Sequence, residues 1–308
     1  MDKDNLIDWE PEIREPGHEI FSPNTWYGSA AILKRYSGWR LPLPLVVPHG
    51  VVLSSDFQWA AENQSGLPAV YCFPHYREKA YAAAGKLKVV LGASPWLYLL
   101  KMYPRTMRER RGTVAFPVHS THHVKAQADD RSYAEYLRQL PTKLKPIKVC
   151  LFWRDLELGR HLPFIEKGLE VVTAGHMFSD KFLHRLYLIM SNCEVVLTPE
   201  VGSHVFYAAS AGCRVVVQRE FACEYVGDSA TVPRDTPELK SEILDSLCKI
   251  FVNEADQKTQ QALAMEMLGL QRVQSPLGLF ATIMVHSFGR PAFLLKAFKH
   301  YRENCFTM

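Results

Sequence analysis

Short apolar runs, each closed by a polar turn, recur along this chain and alternate with stretches of helical spacing. Leu45–Val52, Ala69–Phe73, Lys88–Leu91 and Thr113–Pro117 predict strands in the first half. Lys148–Trp153, Leu169–Thr173, Val195–Thr198 and Arg214–Gln218 predict strands in the second. The run Val195-Val196-Leu197 has the uninterrupted apolar character of a strand buried on both faces. Pro95 suits the first position of a helix running from Trp96 to about Tyr103. Asp129–Leu140 reads as a polar-faced helix, Leu162–Lys167 lies in another, and Ser179 or Asp180 caps one running to about Met190. A short helix follows Gly202 and is ended by Gly212. From Thr236 onward the pattern is helical, whereas the first 40 or so residues mix proline, tryptophan and glycine irregularly and predict a loop-rich entry segment.

Strands alternating with helices predict an α/β fold with parallel sheets and crossover helices. Pro141-Thr142-Lys143-Leu144-Lys145-Pro146 is the strongest linker signal, and the alternation restarts after it. The expected organisation is two Rossmann-like domains, residues 1–140 and 148–290, joined by a linker over 141–147 and followed by a C-terminal helix over 291–308.

Composition refines this only slightly. Hydrophobic residues make up 47% and charged residues 22%, as in an ordinary globular chain. A net charge of +4 does not argue for nucleic acid as a partner. The cluster Arg105, Arg108, Arg110 and Arg111 reads as a solvated helix end. Seven scattered cysteines without a CxxC pair suit reduced, buried thiols and a cytoplasmic setting. The polar start shows no signal peptide, and no apolar stretch is long enough to span a bilayer.

Candidate chemistry gathers in the turns. In open α/β sheets ligands bind beyond the carboxyl ends of the strands, and those turns hold His49-Gly50, Pro74-His75, Ser94, His119 to His123, Arg154-Asp155, Gly175-His176 and Gly202-Ser203-His204. Gly202 allows a sharp turn, and Ser203 and His204 fall where a helix begins, a natural anion site through its unpaired N–H groups and dipole. The histidines between His119 and His123 admit a zinc reading. However, the adjacent His122 and His123 point apart in an extended turn, so hydrogen bonds to substrate and a leaving-group phosphate are preferred. No metal or cofactor is expected. The absence of GxSxG, HExxH, Walker and GxGxxG patterns removes the commonest hydrolase, metalloprotease, P-loop and NAD readings.

The segment from Pro199-Glu200-Val201-Gly202-Ser203-His204 through Tyr207-Ala208-Ala209-Ser210-Ala211-Gly212-Cys213-Arg214-Val215 resembles the nucleotide-sugar segment of GT-B glycosyltransferases, whose two Rossmann-like domains face each other across a cleft. Val149–Asp155, Val171–His176 and Phe116–His123 are similar to segments of a bacterial surface-polysaccharide subgroup that includes the β-Kdo transferases. Together these matches span roughly residues 45–220. Where many retaining members carry a glutamate at each end of an E-x7-E motif, this chain has Pro199 and Tyr207, with Glu200 beside the first. Arg214 stands where a proline usually precedes the final valine.

The resemblance implies a metal-independent glycosyltransferase. It would move a sugar from a nucleotide-activated donor, CMP-linked donors included, to a surface-polysaccharide or glycolipid acceptor. Gly202, Ser203 and His204 would hold the phosphates, with Glu200 and Gly175 beside them and Arg154 adding positive charge. Trp153, Asp155 and His176 would line the nucleoside pocket. His119, Ser120, Thr121 and His122 would face the cleft from the first domain, and His49 or Asp56 would serve as the base for the acceptor hydroxyl. Two alternatives keep the fold: a nucleotide-sugar epimerase-like enzyme, and a non-catalytic nucleotide-sugar-binding assembly subunit. Phe293, Leu294, Ala297, Phe298 and Tyr301 form an apolar stripe apart from Lys296, Lys299 and Arg302. The stripe serves either to brace the first domain, the preferred reading, or to attach the protein peripherally to an anionic inner membrane.

Overall fold

A computed structural model describes residues 19–53, 60–73, 77–85, 87–104, 109–121, 124–227, 249–252, 255–288, 295, 297 and 299. The described residues divide into two compact units. One takes those between Arg105 and His176 and between His184 and Met265; the other takes those between Ile13 and Pro104, Met177–Leu183, and those from Glu266 onward. Both are α/β and both are built on a parallel sheet.

The three-stranded unit pairs β1 (Leu45–Val46), β2 (Ala69–Cys72) and β3 (Lys88–Leu91) in that order. Its entry segment is more regular than its composition suggests. After a 3-10 stretch over Ser22–Gly28, α1 (Ser29–Ser37) begins at Gly28 and stops at Gly38, both with left-handed backbone, and buries Ala30, Ile32 and Leu33. Asn24 is fully buried and stitches this segment to β1: its amide donates to Leu45 O at 2.8 Å and accepts from Val47 N–H at 2.8 Å. Three short helices follow, α2 (Ala60–Asn63), α3 (Arg77–Ala84) and α4 (Pro95–Met102). Pro95 opens α4 as expected, and Ser94 caps it by accepting the Trp96 N–H at 3.3 Å. Gly92 has no room for a side chain, because a Cβ there would lie 2.0 Å from the Tyr71 ring.

The five-stranded unit carries β4 (Thr113–Ala115), β5 (Val124–Gln127), α5 (Asp130–Gln139), β6 (Ile147–Cys150), α6 (Trp153–Glu157), α7 (Leu162–Glu166) and β7 (Glu170–Val172). α8 (Phe182–Ser191), β8 (Val195–Thr198), α9 (Ser203–Ser210), β9 (Arg214–Val217), β10 (Glu224–Gly227) and α10 (Gln257–Met267) follow, and α11 (Pro276–Phe288) returns to the three-stranded unit. The parallel sheet runs β7-β6-β4-β8-β9. Counted by order along the chain, that is 3-2-1-4-5, the winding of a Rossmann-type sheet. β4 and β8 are buried along their whole length, which is why they read as unbroken apolar runs. The core joins Val149, Val195 and Leu197 of the sheet to Tyr133, Ala134 and Leu137 of α5 and Phe164 of α7. β5 and β10 form a separate antiparallel pair that the sequence pattern does not announce.

The expected boundary at 141–147 lies inside this unit. Thr113 donates its N–H to Pro146 O at 2.9 Å and its hydroxyl to Leu144 O at 2.8 Å, so the proline-lysine segment is sewn along β4. β4, expected to close the first domain, is instead the central strand of the second sheet, paired with β6 and β8. The prolines mark the turn from α5 into β6 rather than a joint between domains. Within the arginine cluster, Arg110 is more engaged than expected: it donates to Ala211 O and to Cys213 Sγ, so it covers the carbonyl end of α9, whereas Arg105 and Arg108 lie outside the described residues.

Of the C-terminal stripe, only Ala297 is described; Phe293, Leu294, Phe298 and Tyr301 lie outside the described residues. Ala297 is fully buried in one cluster with Phe21, Val46, Leu67, Val70 and Tyr81, whereas Leu295 is 72% exposed. Ala297→Asp places a carboxylate in that cluster and should cost about 2–5 kcal/mol. Thermal unfolding should show a fall of several degrees for Ala297→Asp and almost no change for Leu295→Asp; equal falls would contradict this packing.

Candidate functional site

The carboxyl ends of the five parallel strands place most of the predicted site residues along one edge of one unit. Gly175 and His176 follow β7, Trp153 follows β6, His119, Ser120 and Thr121 follow β4, and Glu200 to His204 follow β8. Rings link neighbouring turns. Trp153 and His176 lie 4.2 Å apart, His119 meets the edge of Phe152 at 5.2 Å, and His204 lies 5.2 Å from Phe116. His119 and Ser120 therefore belong to the same sheet as His204, not to the other unit, because β4 sits at the sheet's centre. The β4 and β8 turns flank the point where strand order reverses, where doubly wound sheets bind ligands.

A buried ion cluster fixes two of these turns. Arg160 forks onto Asp130 with two bonds of 2.7 Å, donates to Asp155 Oδ1 at 2.7 Å, and donates to Val118 O at 2.8 Å. Asp155 is fully buried and also accepts the Ser120 N–H at 3.1 Å. Burial opposes the charge on Arg160, but its bonds to Asp130 and the charges of Asp155 and Asp130 outweigh that and raise its pKa. Asp155, expected to line a nucleoside pocket, is thus occupied in holding the β4 turn. Ser120 is equally occupied, since its hydroxyl accepts the Ala126 N–H at 3.2 Å. Arg154 is paired with Glu157 at 2.7 Å along the surface of α6.

The turn after β8 is organised by Thr198. Its hydroxyl donates to Glu200 O at 3.0 Å, so its oxygen accepts from His204 Nε2 at 2.9 Å. This network assigns the Nε2–H tautomer and leaves the lone pair on Nδ1. Burial, followed by the charge of His119, pulls the His204 pKa down to about 3. The ring is therefore neutral near pH 7, and it is the backbone of His204, rather than its side chain, that stands at the start of α9. Gly202 occupies the cap of α9 and offers no side chain to the first-turn N–H groups. Its φ of −135° is one any residue adopts, so the glycine is not needed for a sharp turn. A Cβ there would come within 3.1 Å of His204 Nδ1, a tight contact that the ring would have to relieve by a few tenths of an ångström. Glu200 is held from the side by the Tyr225 hydroxyl at 2.6 Å.

Sequence reading missed three contributors, Thr198, Arg160 and Arg185. Arg185 of α8 reaches the β7 turn, where a Cβ on Gly175 would lie 2.6 Å from its Nη1; Gly175 itself has a left-handed φ of 90°. Only the apolar side of α8 shows in the sequence pattern, so nothing singled this arginine out.

His49 lies in the three-stranded unit, after β1, against Trp26 and Tyr27. Burial lowers its pKa to about 4. Asp56 and His122 lie outside the described residues. Among the described residues, no three histidine, cysteine, aspartate or glutamate side chains converge as a metal site, and no helix is long and apolar enough to cross a membrane.

No protein-family model matches the chain, and no curated protein sequence matches it. Among solved structures, the chain is similar to the pneumococcal O-GlcNAc transferase GtfA in complex with UDP and GlcNAc, at 12% identity and a TM-score of 0.39 over 79% of this chain and 52% of that one. It therefore spans about half the length of that transferase. It is also similar to the UDP-GlcNAc 2-epimerase from Neisseria meningitidis bound to UDP-GlcNAc, at 11% identity and a TM-score of 0.38 over 92% and 84%. A third is the glycosyltransferase SnogD from Streptomyces nogalater, at 12% identity and a TM-score of 0.36 over 91% and 85%.

The lowered pKa of His204 has a pH consequence. Between about pH 6.5 and 3 the unfolded chain binds a proton at this residue that the folded chain does not, so stability rises with pH across that window and is lost as pH falls through it. The melting temperature of the wild type should fall more steeply from pH 6.5 to 4 than that of His204→Gln. Parallel curves would mean that His204 takes up its proton without leaving the fold.

Proposed function

We propose that this protein is a nucleotide-sugar-dependent glycosyltransferase of the GT-B kind, with its donor nucleotide on the carboxyl edge of the five-stranded sheet. The observation that carries this reading is the meeting, at the reversal of strand order, of an α9 start capped only by glycine with a row of rings. The N–H groups of Ser203 and His204 and the positive end of α9 suit a phosphate. Trp153 and His176, both buried and packed on each other after β6 and β7, would underlie the nucleoside, and Arg185 would supply the cation expected from Arg154. Negative charge develops on the leaving phosphate as the glycosidic bond breaks. Donors already fixed around it stabilise that charge without reorganising, which is the main catalytic effect in this reading. His49 is kept as the proposed base for an acceptor hydroxyl, a weak one, because burial lowers its pKa to about 4.

The finer reading is a transferase of bacterial surface-polysaccharide biosynthesis. It is cytoplasmic and works without a metal, taking CMP-linked or other nucleotide-activated sugars and passing the sugar to a glycan or glycolipid. It rests on the resemblance of Val149–Asp155, Val171–His176 and Phe116–His123 to the subgroup with the β-Kdo transferases.

Calorimetric titration with CMP, UDP and GDP tests the donor site. One of them should bind the wild type equally with and without EDTA. Gly202→Val should weaken it by about tenfold or more, because the new methyl groups displace His204 and crowd the helix start, a loss of roughly 1.4 kcal/mol. Unchanged affinity in the folded variant would remove the nucleotide from this turn, and loss of binding in EDTA would refute metal independence. Transfer of a labelled sugar to an acceptor, rather than its isomerisation, separates this function from the epimerase alternative.

A further inference from the structure

Cys193 and Cys213 stand just before β8 and β9, two neighbouring strands, and their sulfurs lie 3.7 Å apart. Both are free thiols, both are buried, and both donate to Met190 O, at 3.3 and 3.2 Å. The backbones beside them are already laced: Arg214 N–H donates to Glu194 O at 2.9 Å, and Val195 pairs with Arg214. A disulfide bond is about 2.05 Å long, so a bond here asks the two side chains to turn toward each other and leaves the strand partners as they are.

Arg110 sets this pair apart from ordinary core thiols. It donates to Cys213 Sγ at 3.4 Å and to Ala211 O. Its buried Nε has no hydrogen-bond partner. Glu109, next to it in the chain, pairs with Arg111 at 2.6 Å, and among the described residues no carboxylate pairs with Arg110. The group that this guanidinium faces and that can become an anion is the Cys213 sulfur. A cation beside a thiol favours the thiolate, the form that reacts with oxidants. Cys193, by contrast, is held protonated by its contact with Cys213 and by burial. The two sulfurs are therefore unequal, one suited to attack and the other to resolve. Arg110, Ala211 and Gly212, the immediate neighbours of Cys213, are only half-buried, so the pair lies close beneath the surface.

We propose that Cys193 and Cys213 form a redox-modification site that hydrogen peroxide converts into an intramolecular disulfide. The Cys213 thiolate attacks one oxygen of the peroxide, the O–O bond breaks, and hydroxide leaves a sulfenic acid on Cys213. The Cys193 sulfur then attacks the Cys213 sulfur, the S–O bond breaks, and the hydroxyl departs as water with the Cys193 proton. The proton first given up by Cys213 neutralises the hydroxide. Two thiols and one peroxide thus give one disulfide and two waters, the sulfurs being oxidised and the peroxide reduced. The new bond closes a ring of chain that holds β8, the Glu200–His204 turn and α9. This inference does not depend on the nucleotide reading, because its readout is the state of the thiols.

Peroxide titration of the full native chain tests it. Of the seven thiols, the number titratable in denaturant should fall by two, and peptide mapping without reductant should join the segments that hold Cys193 and Cys213. Dithiothreitol should reverse both changes. The oxidised protein should melt several degrees above the reduced one, because the closed ring restricts the unfolded chain. In Cys193→Ala the reaction should stop at a sulfenic acid on Cys213, trapped by dimedone. Arg110→Met should slow the oxidation by about tenfold, and Arg110→Lys should recover part of the rate. If the variants do not fold, the wild-type peptide map decides the matter alone. Cys193 and Cys213 both left as thiols in the peroxide-treated wild type, a disulfide joining other cysteines instead, or an Arg110→Met variant that oxidises as fast as the wild type, would overturn the proposal.

Discussion

One guanidinium organises the edge on which the proposed chemistry depends. Arg160 joins Asp130 at the start of α5, Asp155 in α6 and the Val118 carbonyl after β4, and Asp155 passes the constraint on to the Ser120 N–H. The turns after the neighbouring strands β4 and β6 are thereby held to one another. Removing one partner of such a buried pair costs about 3–5 kcal/mol, because the remaining charge is left unpaired. The exposed Arg154–Glu157 pair, of the same 2.7 Å length, belongs to a class worth about 0–1 kcal/mol. The difference lies in burial: the Asp155 carboxylate is fully enclosed, and the Arg154 side chain is 36% exposed. Burial therefore makes Asp155 a residue that positions the β4 turn, although its place after β6 suggested contact with ligand.

What the edge can do follows from that rigidity. An oxyanion is stabilised best by donors that need not move as charge develops. In the proposed reading the start of α9 is such a place, and Thr198 holds the His204 ring beside it through Nε2. A side chain at position 202 would sit tightly against that ring, 3.1 Å from its Nδ1, and in the proposed reading would crowd the phosphate as well.

The sequence pattern carries the strands, the α9 segment and its stop at Gly212, because buried parallel strands and glycine-terminated helices leave local marks. It also collects the turns at the carboxyl ends of the strands, since the carboxyl-end rule needs only strand direction. It misplaces β4, because sheet order is not a local property. The first strand of a 3-2-1-4-5 sheet lies at the centre, next to strands that come well after it in the chain, and a proline-rich turn inside the unit looks the same in sequence as a linker. The β5–β10 pair is hidden for a similar reason: its strands are short and far apart along the chain, and they are joined only by tertiary contact. Arg160, Arg185 and Thr198 carry no motif, and their partners emerge only in three dimensions.

The central claim is that a nucleotide lies along the carboxyl edge of the five-stranded sheet, over the start of α9. The most direct measurement is an amide-resolved NMR titration of the full chain with CMP and with UDP. The account predicts that shifts saturating with one nucleotide will concentrate at Ser120, Gly175 and Gly202 to Val205, with the β5 and β10 amides little changed. Saturable shifts that leave Gly202 to Val205 unmoved, or no shifts with either nucleotide, would contradict it.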